Sequence, residues 1–89
     1  MNRQEFETRL KDDGYTEIQV KSLQPRPLND AHGHAFAVRG LVLSGTFTIR
    51  QGDVAKTYRA GEVFSVAADL DHAEEIGPEG AEVVVGRKY

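Results

Sequence analysis

The sequence predicts an all-β domain, a small antiparallel sandwich or barrel, preceded by one short helix. Three observations carry that expectation. Runs rich in β-branched and aromatic residues recur from Tyr15 onward, glycine-containing turns separate them at short intervals, and 89 residues suffice for one domain. The expected division is a single domain over 1–89, with the helix over 2–13 and the β-barrel over 15–89.

The elements follow in order. Phe6 and Leu10 stand four apart among Arg, Glu and Lys, one stripe of a short helix, with Asn2 as N-cap and Gly14 as its stop. Tyr15 to Lys21 alternates, with Ile18 and Val20 on one face and Glu17, Gln19 and Lys21 on the other, which reads as a half-exposed strand. Gln24 to Asp30 contains two prolines that cannot donate to a ladder, so a loop is expected there. Gly40 to Arg50 is the next strand, with Gly45 as a bulge or bend. Gln51-Gly-Asp53 turns the chain into Val54 to Arg59, and Ala60-Gly61 into Glu62 to Val66. His72 to Ile76 is expected as a strand, Gly77-Pro-Glu-Gly80 as a turn and Ala81 to Arg87 as the closing strand, about eight strands in all. The unbroken Val83-Val-Val85 suits burial on both faces.

Composition narrows the function classes. With no cysteine there is no disulfide, thiolate ligand or thiol nucleophile. A net charge of -3, with eleven scattered Lys and Arg, supplies no basic field for nucleic acid. No apolar run approaches a membrane span, and the polar N-terminus lacks the apolar stretch of a secretory signal; the expectation is a cytoplasmic protein without membrane contact. A chain of this size buries only roughly 60–65 % of its unfolded surface, so its core is thin and a metal or partner subunit would add stability.

Chemistry concentrates at the three histidines, the only ones in the chain. His32 and His34 are two apart ahead of a strand-like run, and in extended backbone positions i and i+2 face one side. His72 lies in a second such run. Three imidazoles brought together suit a divalent transition metal and leave a coordination position open. The alternative is that the pair lies in a surface turn and His72 is a core or solvated histidine.

The span from His32 to Glu75 resembles the cupin superfamily, whose motifs read roughly G-x5-H-x-H-x3,4-E-x6-G and G-x5-P-x-G-x2-H-x3-N. His32, His34 and Gly45 match the first; Gly61 and His72 match the second in register, with Ala67 at the proline position and Asp69 at the glycine position. The resemblance implies a small cupin barrel, a double-stranded β-helix or jelly roll, with a metal at its open end. It also implies a homodimer, for which Tyr15 to Ser22 is the candidate shared strand. Two departures stand out. Val38 occupies the place of the ligand glutamate and Ile76 that of the asparagine.

Three histidines remain as metal ligands, for Fe, Zn, Mn or Ni. Glu74, two residues after His72, is the candidate replacement carboxylate, as an additional ligand, an acceptor for an imidazole, or a general base. Its alternative is an exposed acidic residue beside Glu75. Phe36, Val38 and Phe64 are expected to line the pocket, while Arg39 and Arg87 are candidates to grip an anionic substrate. The functional expectation is a small metal-binding protein that binds or acts on a small polar organic molecule. The alternative is a ligand-binding or structural domain without bound metal.

Overall fold

The computed structural model describes residues 1–29 and 31–89. Asn2 accepts a hydrogen bond from the Glu5 N–H at 2.8 Å and starts helix α1, Arg3–Asp12. The helix ends at Gly14 (φ +86), where the Gly14 N–H donates to the Lys11 carbonyl and the Tyr15 N–H to the Leu10 carbonyl. That double closure is a Schellman motif, and Tyr15 packs with Leu10 as such motifs favour.

Five strands follow: β1 Thr16–Leu23, β2 Ala37–Gln51, β3 Val54–Arg59, β4 Val63–Val66 and β5 Ala73–Lys88. They form one antiparallel sheet in the order β1-β5-β2-β3, with β4 paired to β2. The count is five rather than about eight, largely because β2 and β5 are each long enough to serve as two strands. The first half of β2 lies between β4 and the end of β5, its second half between β3 and the start of β5. The sheet thus curls over itself, as the expected jelly roll requires.

The expected turn at Gly77-Pro-Glu-Gly80 is absent, and β5 runs straight through it. Register explains this. Gly45 pairs with Ala81 and Phe47 with Ile76, so four residues of β5 bulge opposite Thr46. Pro78 sits in that gap, where no ladder bond needs its missing N–H. Gly45 (φ +76) and Gly80 (φ +74) let the two strands cross with backbones in contact, and a β-carbon on Gly45 would overlap the Gly80 carbonyl oxygen. Glycines that usually signal reversal here allow a bend.

Two apolar clusters result. Inside the barrel lie Val42, Phe47, Ile49, Phe64, Val66, Ile76, Ala81, Val83 and Val85. Outside it, α1 lays Phe6 and Leu10 over Tyr15, Leu41 and Val84. Alternation along β5 sends Val83 and Val85 inward and Val84 outward, and the helix covers the outward one, so all three are buried. Each fully buried side chain of this kind stabilises the fold by about 1.5–3 kcal/mol.

In β1, past an irregularity at Glu17 (φ 53), Ile18 packs on the outer cluster and Val20 is exposed, while Lys21 and Leu23 lie on the opposite face at the barrel mouth, in the expected alternation. One expectation is corrected. Arg39, the neighbour of inward-facing Val38, points outward. Its guanidinium pairs with Asp13 and stacks on the Tyr15 ring at 4.6 Å, fastening the helix end to the sheet. It is remote from the pocket lining. Strand β1 pairs with β5 of its own chain and forms an edge of the sheet. Among the described residues, no helix is long and apolar enough to cross a membrane.

Candidate metal centre

The stretch carrying His32 and His34 is not a regular strand. It is the end of a proline-containing strip that runs antiparallel beside the start of β5 and touches it at three places. Arg26 and Ile76 exchange backbone hydrogen bonds; the Asn29 N–H donates to the Glu74 carbonyl; His32 and His72 exchange a pair, both 2.8 Å long. Arg26 and His32 are six positions apart and their partners Ile76 and His72 four, so the strip carries more chain than the strand it follows. Each contact brings one histidine nearer the other.

The imidazoles converge although the backbone between His32 and His34 is irregular. Ring centroids stand 5.2 Å apart for His32 and His34, 4.5 Å for His32 and His72, and 5.5 Å for His34 and His72. One ligand nitrogen from each falls within 4.8 Å of the others. Imidazole nitrogens bound at 2.0–2.1 Å can be at most about 4.2 Å apart, so small side-chain rotations close the set around one ion. The donor set fits a borderline divalent metal. Gly33 between the two ligands lets the strip approach the loop before β5, because a β-carbon there would press on Asp71 Oδ1 at 2.9 Å.

His72 is 2 % exposed and, among the described residues, the one buried polar side chain. Its Nδ1 lies 3.4 Å from the Leu70 carbonyl oxygen and its Nε2 3.0 Å from Glu74 Oε2. The carboxylate can only accept, so the shorter contact puts the proton on Nε2, donated to Glu74; with Glu74 turned aside and the proton on Nδ1, next to the Leu70 carbonyl, the Nε2 lone pair would face a metal. His34 has its pKa lowered below 6.5, first by burial, then by the neighbouring His32 and His72 charges and that of Arg87, against an opposing pull from Glu74. A neutral imidazole is the metal-binding form.

Glu74 points inward and Glu75 outward, as strand alternation dictates. Besides His72, the Glu74 carboxylate is 4.0 Å from His32 Nε2 and accepts from Arg26 at 3.3 Å, while its backbone N–H donates to Asn29 Oδ1 at 2.7 Å. The carboxylate missing at Val38 is therefore present on a different strand. Arg26 and Asn29 were not singled out from the sequence; two polar residues in a loop around prolines carry no signal until the loop is placed against β5.

A cavity of about 160 Å³ opens beside the cluster. His34, His72, Glu74, Phe36, Val38 and Phe64 all line it. Phe36 stacks on His34 with centroids 4.9 Å apart and carries the Arg87 guanidinium at 4.5 Å on its ring. Phe64 packs on Phe47 at 4.8 Å at the bottom of the pocket, next to Gly40, whose missing side chain makes room for it. Lys21 and Arg87 supply the cationic part of the wall.

No protein-family model matches the sequence, and no curated protein does. Solved structures do match. A cupin-2 domain-containing protein of Shewanella frigidimarina NCIMB 400 superposes with a TM-score of 0.66 at 21 % identity, over 83 % of this chain and 72 % of that one. An RmlC-like cupin of the same organism gives 0.67 at 21 % identity, over 80 % and 63 %. A chain from the structures of the DMSP lyases RdDddP and RnDddQII gives 0.70 at 16 % identity, over 81 % of this chain but 37 % of that one. At these identities the likeness is one of fold.

Proposed function

Because this chain is a small cupin in fold, we propose that it is a metal-binding protein that holds a divalent transition ion between His32, His34 and His72. In this reading it binds, and acts on, a small polar organic molecule in the adjoining cavity. The observation that carries the reading is the convergence of three ligand nitrogens within 4.8 Å, all from residues far apart in the fold or on irregular chain. Nothing in the core needs three histidines there.

An ion of the Fe, Zn, Mn or Ni type would supply a Lewis acid, or with iron a redox centre, at an open coordination position. The chain supplies the rest. The Leu70 carbonyl can accept the Nδ1 proton of a metal-bound His72; Arg26 and Asn29 hold Glu74 over the cluster; Phe36, Val38 and Phe64 keep bulk water from one side of the bound molecule. Glu74 is placed to accept a proton from a molecule bound beside the histidines, or to join them as a fourth ligand. The free edge of β1 also suits pairing with a second copy, a homodimer that light scattering would register at twice the 9.8 kDa chain mass.

The test is the metal-to-chain ratio of protein purified without chelator. A ratio near one in the wild type and near zero in His72→Ala is the expected result; equal content in both would refute the triad. Glu74→Gln separates the two roles of the carboxylate. Retained metal with lost turnover assigns a base, and a fall in affinity of about 10–100-fold assigns support of the metal.

A further inference from the structure

We propose that the molecule held in the barrel is a small organic acid, and that Lys21 and Arg87 are the residues that select its carboxylate. The inference rests on the metal-binding reading for one end of the ligand and on the charges of the cavity wall for the other. Those charges do not balance. Among the described residues Glu74 is the one acidic side chain of the wall, and its carboxylate is already engaged by Arg26 and His72. Against it stand Lys21 and Arg87, and a divalent ion at the histidines would add two more positive charges.

Neither cation has a close ion pair with a described carboxylate. The nearest carboxylate to Arg87 is Glu17, with 3.9 Å between Nη1 and Oε1, and Glu17 also accepts a hydrogen bond from the Tyr89 hydroxyl. Among the described residues Lys21 has no carboxylate partner. The remaining wall is Leu23, Phe36, Val38, Phe47 and further aliphatic side chains, which suit the apolar body of a ligand whose anionic end meets the two cations at the mouth.

Placement fits as well. Phe36 touches both His34 and the Arg87 guanidinium, so one ring joins the metal end of the cavity to its cationic end. The ring contact steadies the guanidinium while leaving N–H groups for a carboxylate. At about 160 Å³ the cavity far exceeds the 10–15 Å³ that one water needs, so it holds a small organic molecule. An acid with a short apolar body satisfies the cations, the aromatic wall and the metal end together.

Calorimetric titration of butyrate and of its neutral counterpart butyramide tests the assignment, on chelator-treated protein and on protein reconstituted with zinc. Butyrate should bind at least tenfold more tightly than butyramide. Lys21→Gln and Arg87→Gln should each cut that preference at least threefold and the double variant should abolish it, with the zinc-to-chain ratio unchanged; Arg87→Lys should keep most of it. Equal binding of acid and amide by the wild type overturns the proposal, and so does a preference that the double variant retains. A wild-type zinc ratio near zero refutes the metal reading instead, and the acid preference of the metal-free protein is then judged by the same two criteria. Lys21 is exposed, so its variant tests recognition without disturbing the core.

Discussion

Replacing Gly45 by alanine tests the crossing of β2 and β5 on which the whole curl depends. Two costs add there. The backbone is left-handed (φ +76), which costs an L-residue roughly 1–2 kcal/mol. The new β-carbon also falls against the Gly80 carbonyl oxygen and 2.9 Å from the Ala81 Cα, both backbone atoms that cannot rotate away. Overpacking of this kind costs about 1–3 kcal/mol. Gly52 supplies the comparison, since it is equally left-handed (φ +60) but has nothing within 4 Å of where its β-carbon would stand. Gly52→Ala should therefore lose about 1 kcal/mol and Gly45→Ala about 2–5 kcal/mol. A domain of 89 residues typically has about 4–13 kcal/mol in hand, so the second loss is a large share. Urea unfolding of chelator-treated protein reads both, and at a slope of about 1–2 kcal/mol per molar the Gly45→Ala midpoint should fall at least about 0.5 M below that of Gly52→Ala. Equal midpoints would refute the backbone-contact argument.

Two further outcomes follow from the same contacts. Because the folded-state pKa of His34 lies below 6.5, the unfolded chain takes up its proton first as pH falls. Its contribution to stability is complete above pH 6.5, declines below that and levels off under the folded pKa; urea midpoints of metal-free wild type and His34→Gln between pH 7.5 and 5 should therefore converge on acidification, and parallel curves would contradict the assignment. Arg39→Ala removes one ion pair and one ring contact, each about 0.5–1 kcal/mol at such partly exposed sites, so it should lower stability by about 1 kcal/mol while leaving metal content and butyrate binding untouched. A loss of ligand binding in that variant would return Arg39 to the pocket.

The residues that carry the fold were legible where local chemistry decides. Asn2 and Gly14 bracket the helix because capping and left-handed backbone are properties of single residues. The valines of β5 read correctly because burial on both faces leaves an unbroken apolar run. Gly77-Pro-Glu-Gly80 misled because the same residues serve a reversal and a bend, and only the partner strand chooses between them. In β1 the alternation of Ile18 and Val20 against Gln19 and Lys21 was legible, but not which face the curl of the sheet encloses, because a two-residue period separates the faces without ranking them. At the site, His32, His34, His72 and Glu74 stood out by residue type and spacing. Arg26 and Asn29 did not, because their role is created by the strip's pairing with β5.

That strip sets the kinetics of the centre. Two of the three imidazoles ride on a segment outside the named strands, held among the described residues by a few backbone hydrogen bonds and by Arg26 and Asn29 on Glu74, whereas the third immediately precedes β5. Segments held so lightly open at a small fraction of the free energy of global unfolding. An ion seated between strip and strand would then exchange with a chelator at the rate the strip lifts, leaving the sheet intact. Occupancy would slow amide hydrogen exchange at His32 and Asn29 far more than at Val84. The barrel is a standing wall, and the strip beside it is the door through which the ion comes and goes.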